Sequence, residues 1–140
     1  MNSRAVITGL GCVTPLGSIV SEFWRRLLAG ERGVSRLERL NPEGLRNDKA
    51  GEVKAWDFKI GDFGLDRYPS RACQFALCAA RDALVDAGLS EAGTRSVMGA
   101  VLSTNFGGAD MWELYVDSFR EAEACPDYFD AFCFDHATRL

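Results

Sequence analysis

A short β-branched run that ends on a cluster of glycines constrains this chain more than any other feature. Residues 4–8 read Arg-Ala-Val-Ile-Thr, and Gly9, Gly11, Pro15 and Gly17 follow closely. A mostly apolar run bounded by such breakers predicts a buried strand of a parallel sheet. A strand buried on both faces needs helices above and below it.

The sequence supplies candidate helices and a second strand. Residues 18–29 predict a helix with Phe23, Trp24, Leu27 and Leu28 on one apolar stripe and Arg25 and Arg26 facing elsewhere. Ser18 or Ser21 is the expected amino-terminal cap, and Gly30 the left-handed end. Residues 31–49 are polar, with turn signals at Asn41-Pro42 and Gly44, and read as a surface excursion. Residues 50–53 suggest a short strand, and residues 54–69 carry no clean period. The clearest helix covers residues 70–87. Its polar side chains Arg71, Gln74, Arg81, Asp82 and Asp86 share one arc, and alanines fill much of the rest. So wide an apolar sector predicts close approach of a sheet or another helix. Gly88 followed by Leu89 fits a Schellman ending.

Residues 96–103, Ser-Val-Met-Gly-Ala-Val-Leu-Ser, form a second near-continuous apolar run, read as a second central strand. Thr104 to Gly108 make the turn at its carboxyl end, where ligands of open α/β sheets tend to bind. Asp110 and Glu113 mark a helix start, with Trp112, Tyr115, Val116 and Phe119 on one face and Pro126 beyond. Tyr128, Phe129, Phe132 and Phe134 crowd the last stretch. Aromatics at this density are costly to leave in water, so they pack on this chain's own core or on a partner. Strand, helix, strand, helix predicts an α/β layered unit.

Bulk properties narrow the function. At 140 residues the chain is long enough for one domain with a core. A net charge of −4 leaves no electrostatic footprint for nucleic acid. No apolar run approaches a membrane span, and the first residues do not read as a signal peptide. Five cysteines, Cys12, Cys73, Cys78, Cys125 and Cys133, form no C-x-x-C pair and read as reduced thiols of a cytoplasmic protein. Cys133 and His136 are spaced C-x-x-H, but two ligands do not make a structural zinc site. Gly9-Leu10-Gly11 lacks the third glycine of a dinucleotide fingerprint, with Thr14 in its place, and there is no phosphate-loop G-K-[ST]. No cofactor and no metal are expected.

The order V-I-T-G-L-G-x-V-T-P-L-G at residues 6–17 resembles the opening of the β-ketoacyl synthases, the condensing enzymes of fatty-acid and polyketide assembly. The order A-A-R-D-A-L-x-D-A-G-L at residues 79–89 resembles the alanine-rich helix of the same enzymes. The resemblance runs over nearly the whole chain but only the opening part of the family's length. It implies a partial amino-terminal domain over residues 1–140 of a thiolase-like layered fold, with a mixed, mainly parallel sheet and packed helices. It also implies acyl carrier protein and acyl and malonyl thioesters as partners. The family condenses them with a cysteine nucleophile in a T-A-C-like segment and two histidines. No such segment occurs here and His136 is the only histidine, so no catalytic residue is assigned and this chain alone should not condense anything.

One site residue carries over. The family's G-T-G-I-G-G-like turn is matched by Ser103-Thr104-Asn105-Phe106-Gly107-Gly108, which makes Phe106 the expected gate of the acyl pocket. A phenylalanine there implies short or altered acyl groups. Arg67 and Arg71 are the only cations where the family often has a basic cluster for carrier docking. The competing readings are a naturally short, non-catalytic partner subunit, as a chain-length factor is, and an unrelated α/β ligand-binding domain. In either family reading, apolar surface left uncovered predicts self-association or a missing carboxyl-terminal portion.

Overall fold

Among the described residues, helix α1, Val20–Leu28, and helix α2, Arg71–Asp86, carry most of the regular structure, with strands β1, Ser35–Arg36, and β2, Lys49–Ala50, between them. These come from a computed structural model, which describes residues 4–66, 69–89, 98–105, 107–109 and 116. The chain divides into two compact units, Met1–Phe58 with Phe75–Ala100, and Lys59–Gln74 with Val101–Leu140.

In the first unit, residues 4–13 take no regular secondary structure and lead into a tight turn. Thr14 and Gly17 exchange both backbone hydrogen bonds at 3.1 Å, and the Thr14 hydroxyl donates to the Gly17 carbonyl at 2.8 Å. Gly17 sits at φ +147°, a region that disfavours a side chain. The turn tip is anchored because Leu16 is buried, its carbonyl accepts from Arg26 of α1 at 2.6 Å, and Pro15 packs on Gly33 and Gly51. Helix α1 starts after Ile19 with no side-chain cap, so neither Ser18 nor Ser21 plays the expected part. The helix does end as expected. Gly30, at φ +72°, donates to Leu27 at 3.0 Å, and Glu31 donates to Arg26 at 3.1 Å.

The polar excursion is more ordered than its composition suggests. Strands β1 and β2 pair antiparallel, Ser35 with Ala50 and Arg36 with Lys49. The short strand expected at residues 50–53 is met only at Ala50, since residues 51–53 form no strand. Neither observed strand has a β-branched residue, and pairing with a neighbour decided the outcome. Trp56 meets Phe75 edge to face, with ring centroids 4.8 Å apart. Helix α2 ends in the Schellman geometry. Leu89 donates to Leu84 at 2.8 Å, Gly88 donates to Val85 at 3.0 Å, and Gly88 stands at φ +70°.

In the second unit, a single 3₁₀ turn, Ile60–Phe63, occupies part of the stretch that showed no period, and Gly64 closes it at φ +62°. Ser70, which is buried, caps the start of α2 by accepting from the Cys73 amide at 3.3 Å.

The mainly parallel sheet expected from the sequence is not formed by the described residues. Residues 4–8 and 98–103 take no regular secondary structure and have no ladder partner among the described residues, and the β1–β2 ribbon is antiparallel. The reason is pairing: a β-branched run becomes a strand only when a neighbour supplies its hydrogen bonds. Val6 and Ile7 are accordingly 77% and 84% exposed, where full burial was expected.

Candidate functional site

The glycines that end the first extended segment lie directly on the backbone of α2. A Cβ on Gly9 would overlap the Ala83 carbonyl oxygen and stand 2.7 Å from the Ala87 nitrogen. A Cβ on Gly11 would overlap the Ala79 carbonyl oxygen and stand 2.8 Å from the Ala83 nitrogen. Ala79, Ala83 and Ala87 recur every fourth residue, so one face of the helix carries only methyl groups where the segment crosses. This is the close approach that the alanine content predicts. Between the two glycines, the Leu10 amide donates to the Asp86 carboxylate at 2.9 Å. The space beside these glycines is filled by α2 and leaves no room for a pyrophosphate.

An open groove of about 1000 Å³ lies beside this seam, its apolar walls built from Leu10, Ile19, Phe23, Trp24 and Val85. Cys12 lines it with Asp82 and Asp86. Burial first, and then the neighbouring Asp82 carboxylate, push the Cys12 thiol above its ordinary value. A nucleophilic cysteine needs the opposite shift, so the surroundings of Cys12 favour the inert thiol. The stripe on α1 is largely uncovered, with Trp24 56% and Leu28 70% exposed.

A smaller polar hollow of about 350 Å³ is lined by Ser18, Arg26, Arg32, Ser35, Glu52 and Lys54, among others. Arg26 pairs with Glu31 at 2.6 Å, and Lys54 pairs with Glu38. The amides of Glu38 and then Arg39, helped by the charges of Lys54 and Arg39, hold the Glu52 carboxyl below its ordinary value against some desolvation. Glu52 and Asp86 are organising carboxylates that sequence reasoning did not single out. Each works on a distant backbone amide, which leaves no mark in local spacing.

The turn after the second apolar run needs its glycines. A Cβ on Gly107 would stand 2.7 Å from the Thr104 methyl, and Gly108 lies at φ +84°. Phe106, the expected gate, lies outside the described residues, as do Arg67, Trp112, Tyr115, Phe119, Cys125, Tyr128, Phe129, Phe132, Cys133, Phe134 and His136. Among the described residues, no three His, Cys, Asp or Glu side chains cluster as metal ligands, and no helix is long and apolar enough to cross a membrane. Cys73 and Cys78 both lie on α2, and Cys78 is buried.

Comparison with known proteins places this geometry. The family described as Beta-ketoacyl synthase, N-terminal domain, matches residues 2–129. The chain belongs to the beta-ketoacyl synthase family. This beta-ketoacyl synthase chain is 34% identical over 116 residues to 3-oxoacyl-[acyl-carrier-protein] synthase 2 of Synechocystis sp., covering 79% of the chain and 27% of the relative. It is 39% identical over 120 residues to a Streptomyces halstedii protein that carries the name polyketide beta-ketoacyl synthase 1, covering 81% of the chain and 27% of that protein. Among solved structures, the ishigamide ketosynthase/chain length factor aligns with a TM-score of 0.62 at 30% identity, over 84% of this chain and 30% of the other. The fold is therefore the amino-terminal region of the thiolase-like ketosynthase architecture. The chain spans just over a quarter of the length of the curated relatives it matches.

Proposed function

We propose that residues 1–140 form a partial thiolase-like domain of a 3-oxoacyl-carrier-protein synthase. Such an enzyme joins an acyl group to a malonyl unit in fatty-acid or polyketide synthesis. The acyl group is first held as a thioester on an enzyme cysteine. Malonyl-carrier protein then loses carbon dioxide, and the resulting carbanion attacks the acyl carbonyl and expels the cysteine thiolate. The observation that carries this reading is the family match across residues 2–129. The Gly9–Gly11 seam on Ala79, Ala83 and Ala87 supports it, because it joins the two segments whose order resembles the family.

In this reading the chain contributes a wall and a scaffold rather than the reacting groups. Its one histidine and the lack of a T-A-C-like segment leave it without the nucleophile and the paired imidazoles. Incubated alone with acyl- and malonyl-carrier protein, the purified chain should yield neither 3-oxoacyl product nor carbon dioxide. Release of either would overturn the assignment of the reaction to residues outside this sequence. In the complete enzyme of this reading, Phe106 gates the acyl pocket. Exchanging Phe106→Ile there should shift preference toward longer acyl chains, and an unchanged preference would remove Phe106 from the pocket. The carrier protein and a second, like subunit are the partners in this reading, and the cytoplasm is the compartment.

A second reading is supported by the likeness to a ketosynthase/chain length factor structure. Here the chain would act as a non-catalytic subunit beside a complete synthase. Reading the coding sequence past the codon for Leu140 separates the two. An in-frame cysteine turn and two histidines favour the synthase. A stop codon beside a separate complete synthase gene favours the subunit.

A further inference from the structure

The β1–β2 ribbon does not simply end where its ladder ends. Leu37 still donates to the Asp48 carbonyl at 2.8 Å. The next two amides turn away from the opposite strand and converge on one side chain. Glu38 donates to Glu52 Oε2 at 2.8 Å, and Arg39 donates to Glu52 Oε1 at 3.2 Å. Two consecutive amides converging on one carboxylate form an anion-binding concavity, here filled by the chain's own side chain. Both carboxylate oxygens are used, one for each amide, and the negative charge strengthens both bonds; a neutral amide side chain would have to serve both donors with its one carbonyl oxygen and would turn its NH2 toward a donor.

We propose that Glu52 is the catch of an acid-sensitive strap, its ionised carboxylate pinning residues 38–48 by occupying the anion nest of Glu38 and Arg39. The charged groups facing this carboxylate are Arg39 and Glu38 on the strap, Lys54 on its own segment, and Arg26 and Arg32, which line the same hollow. Lys54 is itself paired with Glu38, so the strap has one further tie. Glu52 is held below its ordinary value in the folded chain. Its contribution is therefore present above the ordinary carboxylate range and lost as pH falls through the depressed folded value.

The test is amide hydrogen exchange of the full chain at neutral pH. In Glu52→Gln, Glu38 and Arg39 should exchange roughly tenfold or more faster, as loss of a charge-assisted bond requires. Leu89, in the ending of α2, should keep its rate. In Glu52→Ala, added formate should restore slow exchange at Glu38 and Arg39, because a free carboxylate refills the nest. In Lys54→Met the same two amides should stay protected. Unchanged exchange in Glu52→Gln would overturn the proposal. So would failure of formate to rescue Glu52→Ala, and so would loss of protection at Leu89 together with the strap, which would make Glu52 a general structural residue.

Discussion

Replacing Gly11 with alanine tests the seam on which this unit is built. The added Cβ overlaps the Ala79 carbonyl oxygen and stands 2.8 Å from the Ala83 nitrogen and 2.9 Å from the Ala79 carbonyl carbon. All three are helix backbone atoms, which cannot rotate aside as a side chain can. Ordinary carbon contacts begin near 3.5 Å, so the segment must lift from α2 by at least roughly 0.7 Å to clear the Ala83 nitrogen, and further to clear the Ala79 carbonyl oxygen. Overpacking costs about 1–3 kcal/mol, and a clash against rigid backbone belongs at the upper end. Gly11 is not in the left-handed region, so alanine fits its backbone and recovers about 0.4–1 kcal/mol by stiffening the unfolded chain. The net expectation is a loss of about 2 kcal/mol, or roughly 6–8 °C in Tm for a chain of this size. Thermal unfolding followed by circular dichroism reads this directly. Gly61→Ala is the control, since nothing lies within 4 Å of its added Cβ and its φ is not left-handed. If Gly11→Ala melts with Gly61→Ala, the close approach of the first segment to α2 is wrong.

Two further expectations follow from particular atoms. Ser70→Ala removes the side-chain acceptor of the Cys73 amide and should cost about 1 kcal/mol in urea unfolding; an unchanged midpoint would mean the cap does not hold α2. Burial and Asp82 raise the Cys12 thiol, so its alkylation by iodoacetamide should stay slower than that of a free thiol through neutral pH and rise only in more alkaline solution. Asp82→Asn should speed the reaction, and rapid alkylation of the unaltered chain at neutral pH would contradict the environment described for Cys12.

The helices were legible in the sequence because their signals are local. The Gly30 and Gly88 endings stand where a glycine follows the last apolar turn, and the alanine spacing of α2 foretold a close neighbour. The family was legible because residues 6–17 and 79–89 carry a fixed order, and the structure explains part of that order by bringing the two segments into contact. The sheet was not formed by the described residues because strands are made by partners. Residues 4–8 had the composition of a strand but no neighbour to pair with among the described residues, while Ser35-Arg36 and Lys49-Ala50 had the neighbour without the composition. Of the candidate site, the one residue assigned from the sequence, Phe106, lies outside the described residues. The carboxylates Glu52 and Asp86 escaped notice because their partners are backbone amides far along the chain.

The bond from Leu10 to Asp86 joins residues separated by 76 positions. During synthesis the first segment leaves the ribosome long before the helix it rests on exists. At ribosomal rates of about 5–20 residues per second, that interval is roughly 4–15 s. Throughout it the segment lacks the helix it finally rests on, and Val6, Ile7 and Leu10 are each still more than half exposed once that helix is in place. The glycines that make the final contact so close also leave the waiting segment flexible and without bulk of its own. Production of this chain should therefore depend on how well the cell shields its first residues while the rest is translated.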